Sequence, residues 1–565
     1  MQNTASFRRL FPFLSWPRPT LQSLKQDAWA GITVGLVLIP QAIAYATLAG
    51  MPPQTGLYAA LLPSLVGILW GSSALLAVGP VALTSLLVFG TLSPLAVQGS
   101  QEWIALAIWL SLYSGVMQLL LGVFKLGGIA SLVSQPVITG FINAAAIIIV
   151  VSQLPALLGL PELLSGSLSS IIEYLQSHSA DVVLNSIFGF ASLTLLLVLK
   201  YRLPRFPGML AVAVLSIVIS WAIDYAAQGG AIIGIIPSGL PPLALPPPIS
   251  LDAHRELLPA ALVLALISFT EAMSSCRILA RKKQERWDEN QELVGQGLAK
   301  ITSALSASFP VSGSFSRSAL NLYAGANSAW STLFSAACVL LCLLFLTDFI
   351  YYLPRSVLAA MIIVPVFNLF DMRALRKFFD ISRDDGTVAA VTFLVTLLAM
   401  PRLHWGVFAG IALTMVSYLY RRTHPRIIEV SVHPDGTLRD TRRFDLPPLS
   451  ADVLAVRMDE ALNFLTGTTL ERFVIARCST ETGIRRVLLC SSPLNDIDAS
   501  GVSSLEILLS TLQSLGIELY MSAIKKQVWD VLEKAGMIDA IGRDHVFSTD
   551  SEAILAMQSS IGKPV

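Results

Sequence analysis

The chain has 565 residues, of which 54% are hydrophobic and 13% charged, with 38 Lys and Arg against 37 Asp and Glu and a mean hydropathy of +0.67. That balance excludes an ordinary soluble domain, and a net charge of +1 lacks the basic excess that a nucleic-acid partner demands. Five cysteines form no CxxC pair and six histidines no HExxH spacing, so no disulfide framework, metal site or cofactor is expected, and no nucleophile constellation points to an enzyme.

In chain order, residues 1–27 form a mixed basic stretch, "SFRRLFPFLSWPRPTLQSLKQD", unlike a secretory signal and expected to stay cytoplasmic. From Ala28 to Gln101 there is no charged residue, and Gly/Pro breaks divide the run into pieces that suit about 30 Å of hydrocarbon. Further apolar segments follow at Trp103 to Val123, Ile129 to Val151, Val182 to Leu199, Gly208 to Ala227, Leu257 to Leu279, Leu293 to Ser308, Leu333 to Phe349, Val357 to Leu369, Val388 to Met400 and Val407 to Leu419. The pattern predicts an α-helical polytopic membrane domain over 28–424 with about 14 spans. Basic clusters test the topology: Arg8, Arg9, Arg18 and Lys25; Lys125; Lys200, Arg202 and Arg205; Arg281 to Lys283 with Arg286; Arg373, Arg376 and Lys377; Arg421, Arg422 and Arg426. They fall on alternate connections, which predicts an even number of spans with both termini cytoplasmic, as in a bacterial inner membrane. "THPRIIEV" reads as a linker. Beyond it, 425–565 reads as a cytoplasmic α/β domain, with strands at "RRVLLCSS" and "IELYMSA" and helices ended by Gly516 and Gly536.

Two stretches inside the apolar half share a shape. "SALLAVGPVALTSLLVFG" breaks at Gly79 and Pro80, and "PVSGSFSRSALN" breaks at Gly313; each reads as an extended piece followed by a helix start, with Pro80 expected at the first helical position. A helix that starts partway through the bilayer leaves N–H groups unpaired, which is tolerable where they line a polar cavity or hold a ligand. Two such N-termini facing each other make an anion site. Its candidate ligands are Gly79 and Val81 at the first break and Ser314, Phe315, Ser316 and Arg317 at the second. Gln41 precedes Gly79 by 38 residues and Glu271 precedes Ser314 by 43, each from the middle of a long apolar helix, so a seven-plus-seven inverted repeat is expected. The alternatives are an ordinary kink at Gly-Pro, a structural Glu271–Arg317 ion pair, and Arg317 snorkelling to an interface.

These motifs, with "IPQAIAYATLAGMPPQTGLYAALLPSLV", "DENQELVGQGLAK" and "FPVSGSFSRSALN" in order, resemble the SulP family of anion permeases, and "NDIDASGVSSLEIL" resembles its C-terminal STAS domain. The resemblance covers nearly the whole chain. It implies core and gate domains, a homodimer in the lipid bilayer, and elevator-type anion transport with the substrate between the third and tenth spans. Gln41 and Tyr45 match polar and aromatic substrate contacts, and Ser316 with Arg317 matches an anion-contacting pair. Glu271 matches an acidic position implicated in cation coupling, with Ser275 where a sodium-dependent bicarbonate member has Thr. A lone Glu in an apolar helix can carry a proton, whereas Na+ prefers several hard oxygens, so H+ is the expected coupling ion. Lys300 departs from the family, which has a neutral Asn there. Sulfate is the expected substrate; bicarbonate, chloride or dicarboxylate exchange, Na+ symport, and an anion channel or motor are the rivals. Ser500 aligns with the phosphorylated serine of related bacterial anti-sigma antagonists, a regulatory reading whose alternative is that Asp498 or Ser500 caps a helix.

Overall fold

A capping box starts the first long helix: Thr20 Oγ1 accepts from Ser23 N–H while Ser23 Oγ accepts from Thr20 N–H. In this computed structural model, which describes residues 11–16, 19–128, 133–160, 178–203, 206–367, 369–481 and 483–559, the chain divides into two compact units, Met1–Thr414 and Met415–Val565. The expected basic residues Arg8, Arg9, Arg18 and Arg205, and residues 129–132 of one expected span, lie outside the described residues.

In the first unit, α1 (Leu21–Leu48), α2 (Pro53–Trp70), β1 (Ala77–Gly79) and α3 (Ala82–Leu92) are followed by α4 (Gln101–Val123), α5 (Gln135–Leu158), α6 (Ser179–Arg202) and α7 (Gly208–Ala222). The opening order then recurs: α8 (Leu251–Lys283), α9 (Glu289–Leu305), β2 (Ser312–Ser314) and α10 (Phe315–Tyr323), followed by α11 (Trp330–Phe345), α12 (Arg355–Val366), α13 (Met372–Ile381), α14 (Arg383–Leu398) and α15 (His404–Thr423). Helices α1, α4, α5, α6 and α8 are each long and apolar enough to cross a membrane. By contrast α3 and α10 have 11 and 9 residues, so each needs its preceding strand to make up a span.

The helices pack in two groups: α1, α2, α4, α8, α9 and α11 against one another, and α5, α6, α12, α13 and α14 against one another. Close approach inside the first group depends on small residues, as expected where lipid removes the hydrophobic drive between helices. A Cβ on Gly297 of α9 would lie 2.6 Å from Leu119 N, and one on Gly115 of α4 would lie 2.9 Å from Gly297 O. These two helices therefore touch backbone to backbone.

Three sequence expectations shift. Pro80 precedes the helix start, since Val81 is the N-cap and α3 begins at Ala82; the chain must first leave the β1 ladder. The span expected from Ile129 instead has its helix at Gln135–Leu158, where Ser134 is the N-cap and Pro136 occupies the first turn. "THPRIIEV" is half strand: Ile427 to Val430 begin β3, with Ile428 and Val430 buried on one face and Ile427 packed against the core on the other. The basic connection at Arg373 folds as α13, capped by Asp371 through Ala374 N–H at 2.9 Å.

The second unit is a six-stranded sheet, β4 (Leu438–Asp440), β3 (Ile427–Val432), β5 (Val453–Met458), β6 (Arg486–Cys490), β7 (Glu518–Ser522) and β8 (Val546–Phe547) in spatial order. β5, β6, β7 and β8 run parallel, and β3 pairs antiparallel with β5. Connecting helices include α16 (Gly467–Thr480), α17 (Ala499–Ser514), α18 (Lys526–Lys534), α19 (Met537–Ile541) and α20 (Asp550–Ser559). The expected strands and helices of this unit are present, with Gly516 and Gly536 at φ +69° and +74° just beyond α17 and α18.

Candidate functional site

β1 and β2 pair antiparallel, Ala77 with Ser314, Val78 with Gly313 and Gly79 with Ser312, and all six residues are buried. Because the strands run oppositely, α3 and α10 leave in opposite directions. Their N-termini face each other across a ladder about 7 Å long. No side chain caps α3, whereas Ser314 caps α10 by accepting from Arg317 N–H at 3.4 Å. Neighbouring serines have other tasks: Ser312 Oγ donates to Ser268 O at 2.9 Å, Ser318 Oγ accepts from Ala77 N–H at 2.8 Å, and Ser64 Oγ donates to Val78 O at 2.7 Å. Ser312, Ser314 and Ser318 of "PVSGSFSRSALN" thus each bond a backbone group, and Ser316 is exposed at the first turn of α10.

Arg317 is 2% exposed, and its Nε and Nη2 have no hydrogen-bond partner. Burying an unsatisfied donor costs about 1–3 kcal/mol, more when it is charged. The guanidinium lies against Gly79, where a Cβ would sit 3.2 Å from Nη2; only glycine leaves that approach open. A cavity of about 270 Å³ adjoins these groups. Its walls include Gln41 of α1, Ser316 and Arg317 of α10, Lys200 of α6, Met209 of α7 and Val364 of α12, so both helix groups contribute. Gln41 Nε2 donates to Met209 Sδ at 3.0 Å, while its Oε1 is buried and unpartnered.

Other expected residues stand around this cavity or apart from it. Buried Tyr45 lies within electrostatic reach of Arg317 and Glu271. Glu271 is half-buried with Oε2 enclosed and unpartnered, and it makes no ion pair with Arg317 among the described residues. The alternative of a structural pair is therefore not the geometry observed. Nor does Arg317 snorkel: it is enclosed. Ser275 Oγ donates to Glu271 O at 3.3 Å, which turns it to the helix backbone instead of the carboxylate. Val81 is buried at the α3 N-cap and Phe315 is 50% exposed. Lys300 reaches inward, but to Gln118 Oε1 at 3.0 Å and to Ser268 Oγ, not to Glu271. Among the described residues no group of three or more His, Cys, Asp or Glu could hold a metal. In the second unit Asp498 is the N-cap of α17, accepting from Gly501 N–H at 2.7 Å, and Ser500 is exposed in the first turn.

Met209 and the Gln118–Ser268 pair were not foreseen. Gln118 had a signal, being a polar residue in the apolar run of α4; Met209 follows the break "RFPG" but carries no chemical mark of its own.

Facing helix N-termini beside an unpaired arginine can hold an anion through backbone N–H groups and one fixed cation. A sulfate permease family model matches residues 24–392, and a STAS domain model matches 448–553. The chain belongs to the sulfate permease family. A probable sulfate transporter 4.2 of Arabidopsis thaliana is 31% identical to the permease over 98% of this chain and 84% of its own length. A probable sulfate transporter of Mycobacterium tuberculosis is 29% identical over 95% of both chains. Among solved structures, murine solute carrier 26 family member A9, an anion transporter in the inward-facing state, superposes with a TM-score of 0.87 at 23% identity over 98% of this chain and 95% of that one. The transmembrane domain of the cyanobacterial bicarbonate transporter BicA gives 0.58 at 22% identity over 70% and 98%. These likenesses place the permease in a helical membrane fold with a C-terminal STAS domain, among relatives that are transporters and not enzymes.

Proposed function

We propose that the permease imports sulfate by proton-coupled secondary transport, moving the α1–α8–α10 side of the cavity relative to the α6–α7–α12 side in an elevator motion. The observation that carries this reading is Arg317, enclosed at the cavity wall with two donor nitrogens unpartnered and its guanidinium against Gly79. The names of the relatives, sulfate transporters in plants and mycobacteria, favour sulfate among anions. In this reading Gln41, Tyr45, Gly79, Val81, Ser314, Phe315, Ser316 and Arg317 surround the anion, through side chains or the backbone of the two helix starts. Glu271 carries the proton, a lone carboxyl in an apolar helix suiting H+ better than Na+, which prefers several hard oxygens.

Energetics supply the need for coupling. Moving two negative charges inward against about 100 mV costs roughly 4.6 kcal/mol, which a proton gradient can offset. Residues 1–27 and the STAS domain over 425–565 would then be cytoplasmic in a bacterial inner membrane, with the transport domain over 28–424 and a homodimer as the working unit; Ser500, exposed at a helix N-terminus, suits a phosphate there. The direct test is uptake into proteoliposomes of labelled sulfate, bicarbonate, oxalate and succinate, with and without pH and Na+ gradients. Sulfate accumulation driven by an acidic exterior supports the reading; accumulation of another anion alone, or driven by Na+ alone, overturns it.

A further inference from the structure

The helix group that carries the anion-facing α1 encloses a second basic side chain away from the cavity wall. Lys300 on α9 is 0% exposed, and its Nζ donates to Gln118 Oε1 of α4 and Ser268 Oγ of α8. Both acceptors are neutral. Gln118 Nε2 donates in turn to Ala265 O at 2.7 Å and Ser268 Oγ at 3.1 Å, so the ammonium is gripped from two helices. Ser268 also ties this cluster to the breaks, because its carbonyl accepts from Ser312, which pairs with Gly79. Glu271 follows Ser268 by three residues, one helical turn on the same face, and lies within electrostatic reach of both Lys300 and Arg317.

Charges enclosed in a low-dielectric block are tolerated when they sum to zero. The block holds Arg317 and Lys300 as basic groups, Glu271 as an acid and Tyr45 as a phenol. Glu292, eight residues and about 12 Å of helix rise from Lys300, stands apart from this cluster, where the N–H groups of Ser72 and Ser73 and the Gln296 side chain bond it. Lys200 belongs to the opposite helix group.

We propose that Lys300 keeps its proton and so sets the valence of the transported anion: with the ammonium, a bound dianion plus one proton on Glu271 brings the block to neutrality. A monovalent anion reaches neutrality only with Glu271 ionised, so it travels without a proton. Without the ammonium no combination with a dianion closes to zero, whereas a monovalent anion with protonated Glu271 does. This inference rests on the anion-site reading above and names Lys300 as its specificity-determining residue.

The test titrates sulfate and chloride separately into the full-length permease in lipid nanodiscs, for the wild type, Lys300→Gln, Lys300→Arg and the exchanged pair Gln118→Lys with Lys300→Gln. Lys300→Gln is expected to weaken sulfate about tenfold and chloride about threefold, because the lost charge acts twice as strongly on a dianion. Lys300→Arg and the exchanged pair, which keep the charge, should retain the wild-type ratio. An equal loss for both anions, or an unchanged ratio, makes Lys300 a structural cross-link and overturns the inference while the sulfate reading stands. A wild type that binds no sulfate overturns both. Should Lys300→Gln fail to fold, the exchanged pair decides: wild-type preference supports the inference, and loss of preference in a folded protein overturns it.

Discussion

At the residue scale the account turns on Arg317. Its buried, unpartnered nitrogens make sense if an anion completes their hydrogen bonds. Replacement by Ala should therefore weaken a divalent anion more than a monovalent one, since a fixed charge gains about twice the Coulomb energy from a dianion. Separate titrations of sulfate and chloride measure this, and equal losses would count against it. Gln41 is a second case: the substitution Gln41→Glu puts a carboxylate into the cavity wall and should repel sulfate without unfolding the protein. Unchanged sulfate affinity in that variant would leave Gln41 as packing against Met209. Arg317 and Gln41 were both legible in the sequence, because a polar side chain in an apolar helix is conspicuous. Met209 was not, since nothing in the type of a methionine distinguishes a cavity wall from core.

At the element scale the two short helices and the strands before them position the site. Gly79 sits at φ +156° with its missing Cβ 3.2 Å from Arg317 Nη2. Gly79→Val should displace the guanidinium and lower sulfate affinity at least about tenfold, the steric cost of overfilling a tight contact being about 1–3 kcal/mol; retention of wild-type affinity would remove Gly79 from the site. The broken spans were legible from Gly and Pro, but the pairing of β1 with β2 was not. Three-residue strands carry no periodicity, and the side chains that bond the backbone of β1 come from helices, Ser64 of α2 to Val78 O and Ser318 of α10 from Ala77 N–H. Chain breaks are less legible than helix bodies: Pro80 reads as a helix start and an apolar segment reads from Ile129, yet the ladder sets the start of α3 at Ala82, and Ser134 with Pro136 set that of α5. In the α/β unit, burial opposes ionisation of Asp452, but Ser450 Oγ at 2.6 Å and Arg486 Nη2 at 2.7 Å outweigh it and hold the carboxyl below its ordinary value. A depressed Asp stabilises the fold above its unfolded value near about 4 and loses that contribution as pH falls through its folded value. Acid unfolding of this unit, followed from pH about 7 to 3, should flatten on its low-pH side in Arg486→Met; an unchanged acid limb would show that the pair adds nothing.

At the scale of the whole molecule, the recurrence of long helix, helix, strand and short helix builds one cavity wall from two distant parts of the sequence. Similar offsets, 38 residues from Gln41 to Gly79 and 43 from Glu271 to Ser314, make that duplication visible in the sequence. The division into two helix groups is less visible, since both are equally apolar; it emerges from which helices pack, through contacts such as Gly115 with Gly297. The proposed function depends on coupling the anion to a proton within one group. Protonation of Glu271 and binding of sulfate should favour one another, each easing the charge the other brings into the block. The substitution Glu271→Gln mimics the permanently protonated state. In proteoliposomes with an acidified exterior, wild-type protein should accumulate labelled sulfate, while Glu271→Gln should bind and exchange sulfate but fail to accumulate it, because no proton is released inside; accumulation by Glu271→Gln equal to that of the wild type would contradict the account.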